Sequence, residues 1–206
     1  MFAQLEGMPG SGKTTAARTV ATCCGFVIAK ELDHVSHPGF DPMELSECSK
    51  WYIGSEIARQ QQLTEVLETG RSIIQDRGLL STLAFTYASL AMLDRGHEYD
   101  SYLDTVAVSV AGQVLLPNLL MFLSVSAHCS VARRANCDPR YVLWFDSRFL
   151  DFYEEFYSVV SGHITACPTM TIDTSSTSIR DVSMIIIEAL RDEAQLRSSI
   201  RAGFPS

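Results

Sequence analysis

Short apolar runs alternate with longer segments of helical periodicity along the whole chain. The short runs predict five β-strands, at residues 1–6, 26–29, 72–75, 119–123 and 169–172. The other segments predict helices at residues 14–24, 51–69, 79–93, 99–116, 127–136, 141–160 and 179–196. Strands that alternate with helices in this way form a parallel sheet with helices on both faces. The pattern therefore predicts an α/β fold with five parallel strands.

One stretch, residues 106–125, carries no charged side chain and has the length of a membrane span. Gln113, Pro117 and Asn118 interrupt it near its middle. A helix end, a turn and a buried parallel strand account for it better than a spanning helix does. We therefore expect a protein that does not cross a membrane.

The composition is that of a globular domain of 206 residues, 47% of them hydrophobic and 19% charged. The formal net charge of −8 argues against a general nucleic-acid binder, which normally has a basic face. The six cysteines form no C-x-x-C pair and show no zinc-ligand spacing, which indicates thiols in a reducing compartment. Because charged residues and a glycine-rich motif come within the first thirteen residues, we expect no signal peptide. The prediction is one domain, residues 1–206, in the cytoplasm.

Residues 7–15 read GMPGSGKTT and fit the G-x-x-x-x-G-K-T pattern of a phosphate-binding loop between a strand and a helix. Its glycines allow backbone N–H groups to point at phosphate oxygens without clashes from Cβ atoms. Lys13 can reach the β- and γ-phosphates, and the Thr14 hydroxyl can ligate Mg²⁺. The sequence therefore predicts ATP and Mg²⁺ as cofactors. The predicted nucleotide-binding residues of this loop are Gly10, Ser11, Gly12, Lys13, Thr14 and Thr15.

Charged residues follow the second and third predicted strands, at the sheet edge where ligands gather in open α/β folds. Asp76 lies where a phosphate-loop enzyme organises Mg²⁺, although an Asp at a strand end can also cap the next helix. Lys30 and Glu31 follow the second strand, and consecutive residues of a strand point to opposite sides. Glu31 would serve a hydroxyl acceptor as a base, whereas Lys30 and Arg77 would serve a phosphate acceptor. Both alternatives stay open at this point.

Four arginines fall within sixteen residues after the fourth predicted strand, namely Arg133, Arg134, Arg140 and Arg148. Each of them alone is more typical of a solvated helix face. As a group behind a phosphate-binding loop, they indicate a lid at about residues 133–148. Such a lid would bring guanidinium charge to the transferred phosphate.

Residues 68–77, ETGRSIIQDR, followed by Ser81, Ala84 and Phe85, resemble the thymidylate kinase segment with its Asp-Arg motif. Residues 116–125 resemble the strand that precedes the lid in that family, and Ile172-Asp173 fits the position before its last helix. The resemblance implies the thymidylate kinase and deoxynucleoside kinase branch of P-loop kinases. The fold implied is a three-layer P-loop NTPase fold, in which helices cover both faces of a five-stranded parallel sheet and a small helical lid is added.

The same resemblance implies ATP-dependent phosphoryl transfer to a nucleoside monophosphate or a nucleoside. An acidic residue stands at the position of Glu31 in both sister groups, which favours Glu31 in the site. The implied catalytic residues are Lys13, Glu31, Asp76, Arg77 and Arg140, the metal ligands are Thr14 and Asp76, and Arg133 lies at the bound nucleotide.

The chain departs from the thymidylate kinase pattern at three places. Lys30-Glu31-Leu32 stands where Arg-Glu-Pro is usual, and Gly78 replaces the aromatic residue after the Asp-Arg motif. Ser55 falls near the arginine that is expected in the base-reading helix. These departures leave the acceptor undefined within the superfamily.

Two other functions are compatible with a P-loop domain. One is a kinase for another small molecule, such as an antibiotic, a sugar or a specialised metabolite. The other is a nucleotide-dependent regulatory ATPase, although the sequence lacks the guanine-reading N-K-x-D pattern and the lid arginines favour transfer. We expect a small-molecule acceptor as the partner, neither nucleic acid nor membrane, and leave a homodimer open.

Overall fold

The computed structural model describes residues 1–32, 45–134, 142–160, 162 and 167–203. Five strands form one sheet: β1 (Phe2–Gly7), β2 (Val27–Ala29), β3 (Ile73–Asp76), β4 (Leu119–Ser124) and β5 (Thr169–Asp173). All pairs are parallel, in the order β2-β3-β1-β4-β5. The predicted five-stranded parallel sheet is confirmed, with each strand within two residues of its predicted bounds.

Seven α-helices connect and cover the strands in the described residues. They are α1 (Lys13–Cys24), α2 (Leu45–Glu68), α3 (Leu79–Met92), α4 (Tyr99–Val110), α5 (Ala127–Arg133), α6 (Ser147–Glu155) and α7 (Ile179–Gly203). Two 3₁₀ helices, Gly96–Glu98 and Val142–Phe145, precede α4 and α6, and a π-helical turn, Phe156–Val160, follows α6. Helices pack on both faces of the sheet, as the α/β pattern predicts.

Several predicted helix boundaries are wrong. α2 begins at Leu45 rather than at residue 51, and α7 continues to Gly203. α4 ends at Val110 rather than at 116, shortly before Gly112 takes the left-handed φ of 69°. The predicted helix 141–160 is divided, because the Asp146 side chain accepts hydrogen bonds from two backbone N–H groups and starts α6 there.

The charge-free stretch 106–125 consists of the end of α4, a turn and the strand β4, as predicted. No helix in the described part of the chain combines the length and the apolarity that crossing a bilayer requires.

The apolar core is divided into clusters. A sheet cluster packs α1 and α7 against one side of the strands and includes Leu5, Ala17, Met121 and Ile186. A helical cluster joins α3, α4 and α6 and includes Met8, Ala84, Phe149 and Tyr153. A smaller group packs Leu63 of α2 against residues of β1, β2 and β3. The phosphate-binding loop therefore contacts the helical cluster through the buried side chain of Met8.

The sheet order determines which loops meet. β1 lies between β3 and β4, and Leu5 is paired with Asp76 in the register. Because parallel strands end at the same edge of a sheet, Asp76 lies beside the loop that follows β1. The carboxyl end of β2 adjoins β3 on its other side, which brings residues 30 and 31 to the same edge.

Candidate active site

The backbone of the phosphate-binding loop, residues 7–15, takes conformations that favour glycine. Gly7, Gly10 and Gly12 have φ values of 128°, 75° and 91°, all in the region that side chains disfavour. A Cβ atom on Gly7 would clash with the carbonyl oxygen of Leu123, and one on Gly10 would lie 3.0 Å from that of Ser130. The Ser130 hydroxyl also donates to the Pro9 carbonyl at 2.7 Å. The loop is therefore packed directly against β4 and α5, and its shape is that of a phosphate cradle.

Lys13 begins α1 and is folded back over the loop. Its Nζ donates to the carbonyl oxygens of Gly7 (3.0 Å) and Met8 (2.7 Å) and to the Ser11 hydroxyl (3.2 Å). The side chain is only 4% exposed. Burial, with the nearby charge of Arg77, lowers the pKa of Lys13 to about 7, although carboxylates of the site oppose the shift. An anionic phosphate would stabilise the charged form, so the ammonium fits a nucleotide in this loop.

Asp76 is the last residue of β3 and is 2% exposed. Within the described residues its Oδ1 has no hydrogen-bond partner, which is costly for a buried carboxylate unless a cation or a ligand meets it. Thr14 and Thr15 are exposed in the first turn of α1. A carboxylate and a hydroxyl are ligands that Mg²⁺ accepts, together with phosphate oxygens and water. The described residues contain no group of three His, Cys, Asp or Glu side chains that could hold a metal ion by themselves.

Glu31 and Arg77 form an ion pair at this edge of the sheet. Glu31 Oε1 lies 3.0 Å from Arg77 Nε, with the carboxylate side chain 36% exposed and the guanidinium side chain 10% exposed. Arg77 Nη1 also donates to the Tyr153 hydroxyl at 2.9 Å, and the Arg77 guanidinium lies 5.9 Å from the centre of the Trp144 ring. Burial by itself would lower the pKa of Arg77. The electrostatic effects of Glu31 and the neighbouring tyrosines are together larger, so the pKa of Arg77 is raised. Lys30, by contrast, has an exposed side chain.

The structure distinguishes among the arginines of the predicted lid. Arg133 donates to the carbonyl of Gly10 at 3.2 Å and to the hydroxyl of Thr174 at 3.3 Å, so it joins the phosphate-binding loop to the loop after β5. Arg134 donates to the carbonyl of Trp144 and to that of Ser130, and therefore joins the end of α5 to the 3₁₀ helix that precedes α6. Arg148 is exposed at the start of α6. Arg140, the predicted catalytic arginine, lies outside the described residues.

The sequence-based prediction missed two buried charged residues beside the site. Glu6, the residue before Gly7, is 0% exposed, and burial raises its pKa despite several hydrogen bonds that favour its charge. Arg59 of α2 is buried and donates to backbone carbonyls at the ends of β2 and β3. A charged residue at the end of an apolar strand was a usable signal for Glu6. No comparable signal in the sequence pointed to Arg59, because an arginine on a helix usually lies on a solvated face.

The P-loop and the five-stranded parallel sheet define a P-loop NTPase fold. No family model and no curated protein matches the sequence. Solved structures are similar in fold. Deoxyadenosine kinase from M. mycoides with bound dATP superposes with a TM-score of 0.67 at 18% identity over 93% of this chain and 100% of that one. The structure of the same kinase with the products dCMP and dCDP has a TM-score of 0.68 at 20% identity, again over 93% of this chain and 100% of that one.

Thymidylate kinase from Candida albicans gives a TM-score of 0.68 at 18% identity, over 94% of this chain and 92% of that chain. At these identities the similarity establishes the fold. The predicted resemblance to deoxynucleoside and thymidylate kinases is therefore confirmed for the fold.

Proposed function

We propose that this protein is an ATP-dependent kinase that phosphorylates a small acceptor of the nucleoside or nucleotide class. The ion pair between Glu31 and Arg77 beside the phosphate-binding loop carries the proposal. It offers a carboxylate to accept a proton and a guanidinium to stabilise charge, within the electrostatic reach of Lys13. Solved kinases of nucleosides and of thymidylate share the fold, which supports the same chemistry here.

The charges of the site favour a hydroxyl acceptor, such as the sugar hydroxyl of a nucleoside. Among the described residues, Lys13 has one charged neighbour of like sign, Arg77, and three carboxylate neighbours, Glu31, Asp76 and Glu6. A phosphate acceptor would add negative charge to a site that already binds a triphosphate, whereas a hydroxyl needs a base. A nucleoside monophosphate is the second candidate, because Arg77 and the exposed Lys30 would then contact its phosphate.

The residues have the following proposed roles. Gly10, Ser11, Gly12, Lys13 and Thr15 bind the phosphates of ATP, and Arg133 lies at the nucleotide through its contact with Gly10. Thr14 and Asp76 would hold Mg²⁺, which when bound neutralises charge on the phosphates. Glu31 removes the proton of the acceptor hydroxyl, and Arg77 orients the acceptor and the Glu31 carboxylate. Arg140 remains the proposed lid arginine at the transferred phosphate.

We further propose a single kinase domain over residues 1–206, with a lid at about 133–148, in the cytoplasm. The net charge of −8 and the cysteine pattern support a small-molecule partner and a reducing compartment. A homodimer is compatible with this arrangement.

A panel of nucleosides, nucleoside monophosphates and sugars tests the function. With Mg²⁺ and a non-hydrolysable ATP analogue, the true acceptor should raise the unfolding temperature beyond the analogue alone. At an acceptor concentration of a hundred times its Kd, binding adds about 2.7 kcal/mol to the free energy of unfolding. With ATP, mass spectrometry should then find the acceptor carrying one more phosphate. ATP hydrolysis without any acceptor effect would indicate a regulatory ATPase, and a phosphorylated sugar or antibiotic would indicate the other kinase class.

The metal role of Asp76 gives a separate prediction. Asp76→Asn should lower kcat by about 100-fold or more and raise the Mg²⁺ concentration needed for half-maximal rate, because a neutral amide is a weaker ligand. Steady-state rates across an Mg²⁺ titration measure both effects. Titration curves that coincide with those of the parent would leave Asp76 only a structural role at the strand end.

A further inference from the structure

The peptide unit between Arg77 and Gly78 is held at both ends by buried charged side chains. Arg77 has a φ of 61°, a left-handed conformation that is unfavourable for a residue with a long side chain. Its carbonyl oxygen accepts a hydrogen bond from Arg59 Nη2 at 2.6 Å. The next N–H group, that of Gly78, donates to Glu6 Oε1 at 2.7 Å. The conformation is thus fixed from α2 on one side and from β1 on the other.

Arg59 also holds the neighbouring strand end. Its Nη1 donates to the carbonyl oxygen of Lys30 at 2.7 Å, so a single guanidinium joins the ends of β2 and β3. Glu31 is the residue after Lys30, whose carbonyl accepts the first hydrogen bond, and the carbonyl of Arg77 itself accepts the second. The two residues of the ion pair therefore have their backbones fixed by the same planar group. Glu56, one turn earlier on α2, neutralises Arg59.

Glu6 reaches the other side of Arg77 through hydroxyl groups. Its Oε2 accepts hydrogen bonds from Ser81 at 2.5 Å and from Tyr157 at 3.0 Å. The Tyr157 hydroxyl lies 3.5 Å from that of Tyr153, which accepts from the Arg77 side chain. Backbone and side chain of Arg77 are thus supported from one buried carboxylate.

We infer that Arg59 and Glu6 are positioning residues that keep Arg77 in its left-handed conformation and so direct its guanidinium at Glu31. Neither residue needs to touch the substrate. The inference rests on the proposed function, because it assigns the pair of Glu31 and Arg77 to the acceptor site. It adds α2 and β1 to the elements on which catalysis depends.

The test for Arg59 is the variant Arg59→Lys, which keeps a positive charge for Glu56 but cannot donate to two carbonyls in the fixed geometry of a guanidinium. We expect kcat to fall by about 100-fold with the KM for ATP unchanged, since displacing a reacting group by about 1 Å has that effect. Arg95→Lys is the matched control, because Arg95 is paired with Glu98 at the same spacing but is exposed. It should retain the parent's kcat.

The test for Glu6 compares two variants. Glu6→Gln keeps a carbonyl oxygen for the Gly78 N–H and should retain most of kcat, whereas Glu6→Met removes that acceptor and should lose about as much as Arg59→Lys. A structural role alone would lower the unfolding temperature, more in Glu6→Met than in Glu6→Gln, but would leave the kcat of the folded variants equal to that of the parent. Equal kcat values in Glu6→Gln, Glu6→Met and the parent would overturn the inference for Glu6.

Hydrogen exchange of the Gly78 amide, followed by NMR, tests the inference without any activity. Exchange should be faster than in the parent in Glu6→Met and in Arg59→Lys, and unchanged in Arg95→Lys. If the parent phosphorylates no acceptor, the proposed function fails, and this exchange alone decides whether Arg77 and Gly78 are held as inferred. Parent-like exchange in both site variants, or a parent-like kcat in Arg59→Lys, would overturn the inference.

Discussion

Replacing Lys13 with alanine should abolish phosphoryl transfer in a protein that still folds. Lys13 supplies the charge of the phosphate-binding loop, where its Nζ lies against the carbonyls of Gly7 and Met8. Removing one such group from a site that stabilises developing charge costs about 10²–10³-fold in kcat, and the loss of ATP affinity adds to it. Steady-state kinetics with ATP and the best acceptor measure the effect. A folded Lys13→Ala protein with the parent's activity would contradict the assignment of the loop.

The same variant has a built-in control for folding. The pKa of Lys13 is about 7 in the folded protein and about 10.5 when unfolded, so between these values the unfolded chain binds a proton that the folded chain does not. The free energy of unfolding of the parent without nucleotide should therefore rise with pH from about 7 to about 10.5. Urea unfolding at pH 7 and pH 9 should show this rise in the parent and a smaller one in Lys13→Ala. A variant that is folded and lacks this part of the pH dependence has lost only the buried amine.

Glu31→Gln should separate the two acceptor classes. If the acceptor is a hydroxyl, the variant loses a base that contributes about 10²–10⁴-fold, and kcat should fall by that factor. If the acceptor is a monophosphate, the loss should be small, and Lys30→Ala should weaken the reaction more. Steady-state kinetics of both variants on the best nucleoside and the best monophosphate decide between them.

Glu68→Gln is the matched control for that experiment, because Glu68 is exposed at the end of α2. It should leave kcat and both KM values unchanged. If neither Glu31→Gln nor Lys30→Ala changes either parameter on any acceptor, the end of β2 does not line the site.

Local patterns were sufficient to predict the sheet and the phosphate-binding loop. Five short apolar runs and one glycine-rich motif are signals within a few residues, and the parallel arrangement follows from their alternation with helices. The division of the predicted helix 141–160 could also have been found, because Asp146 is a typical N-cap residue. Its aromatic neighbours concealed the break by continuing the helical periodicity.

The contacts around Arg77 could not be predicted in this way. Glu6 and Gly78 are 72 positions apart, and Arg59 reaches Arg77 from another element. Such pairs depend on how the elements pack, and local patterns in a single sequence do not show which distant elements contact each other. The contacts of Arg133 and Arg134 could not be predicted for the same reason, since both donate to backbone carbonyls, which any residue can provide.

The separation of the sheet cluster from the helical cluster has a consequence for local unfolding. Helices α3, α4 and α6 share one core cluster, whereas α1 and α7 pack in another cluster against one side of the sheet. Cooperative units of unfolding often follow such boundaries, so the helical half can open at a lower free energy than the global transition. Met8 is buried in the helical cluster although it belongs to the phosphate-binding loop. Each such opening would therefore release one side of the loop, so the rigidity of the phosphate-binding loop depends partly on helices that are distant from it in sequence.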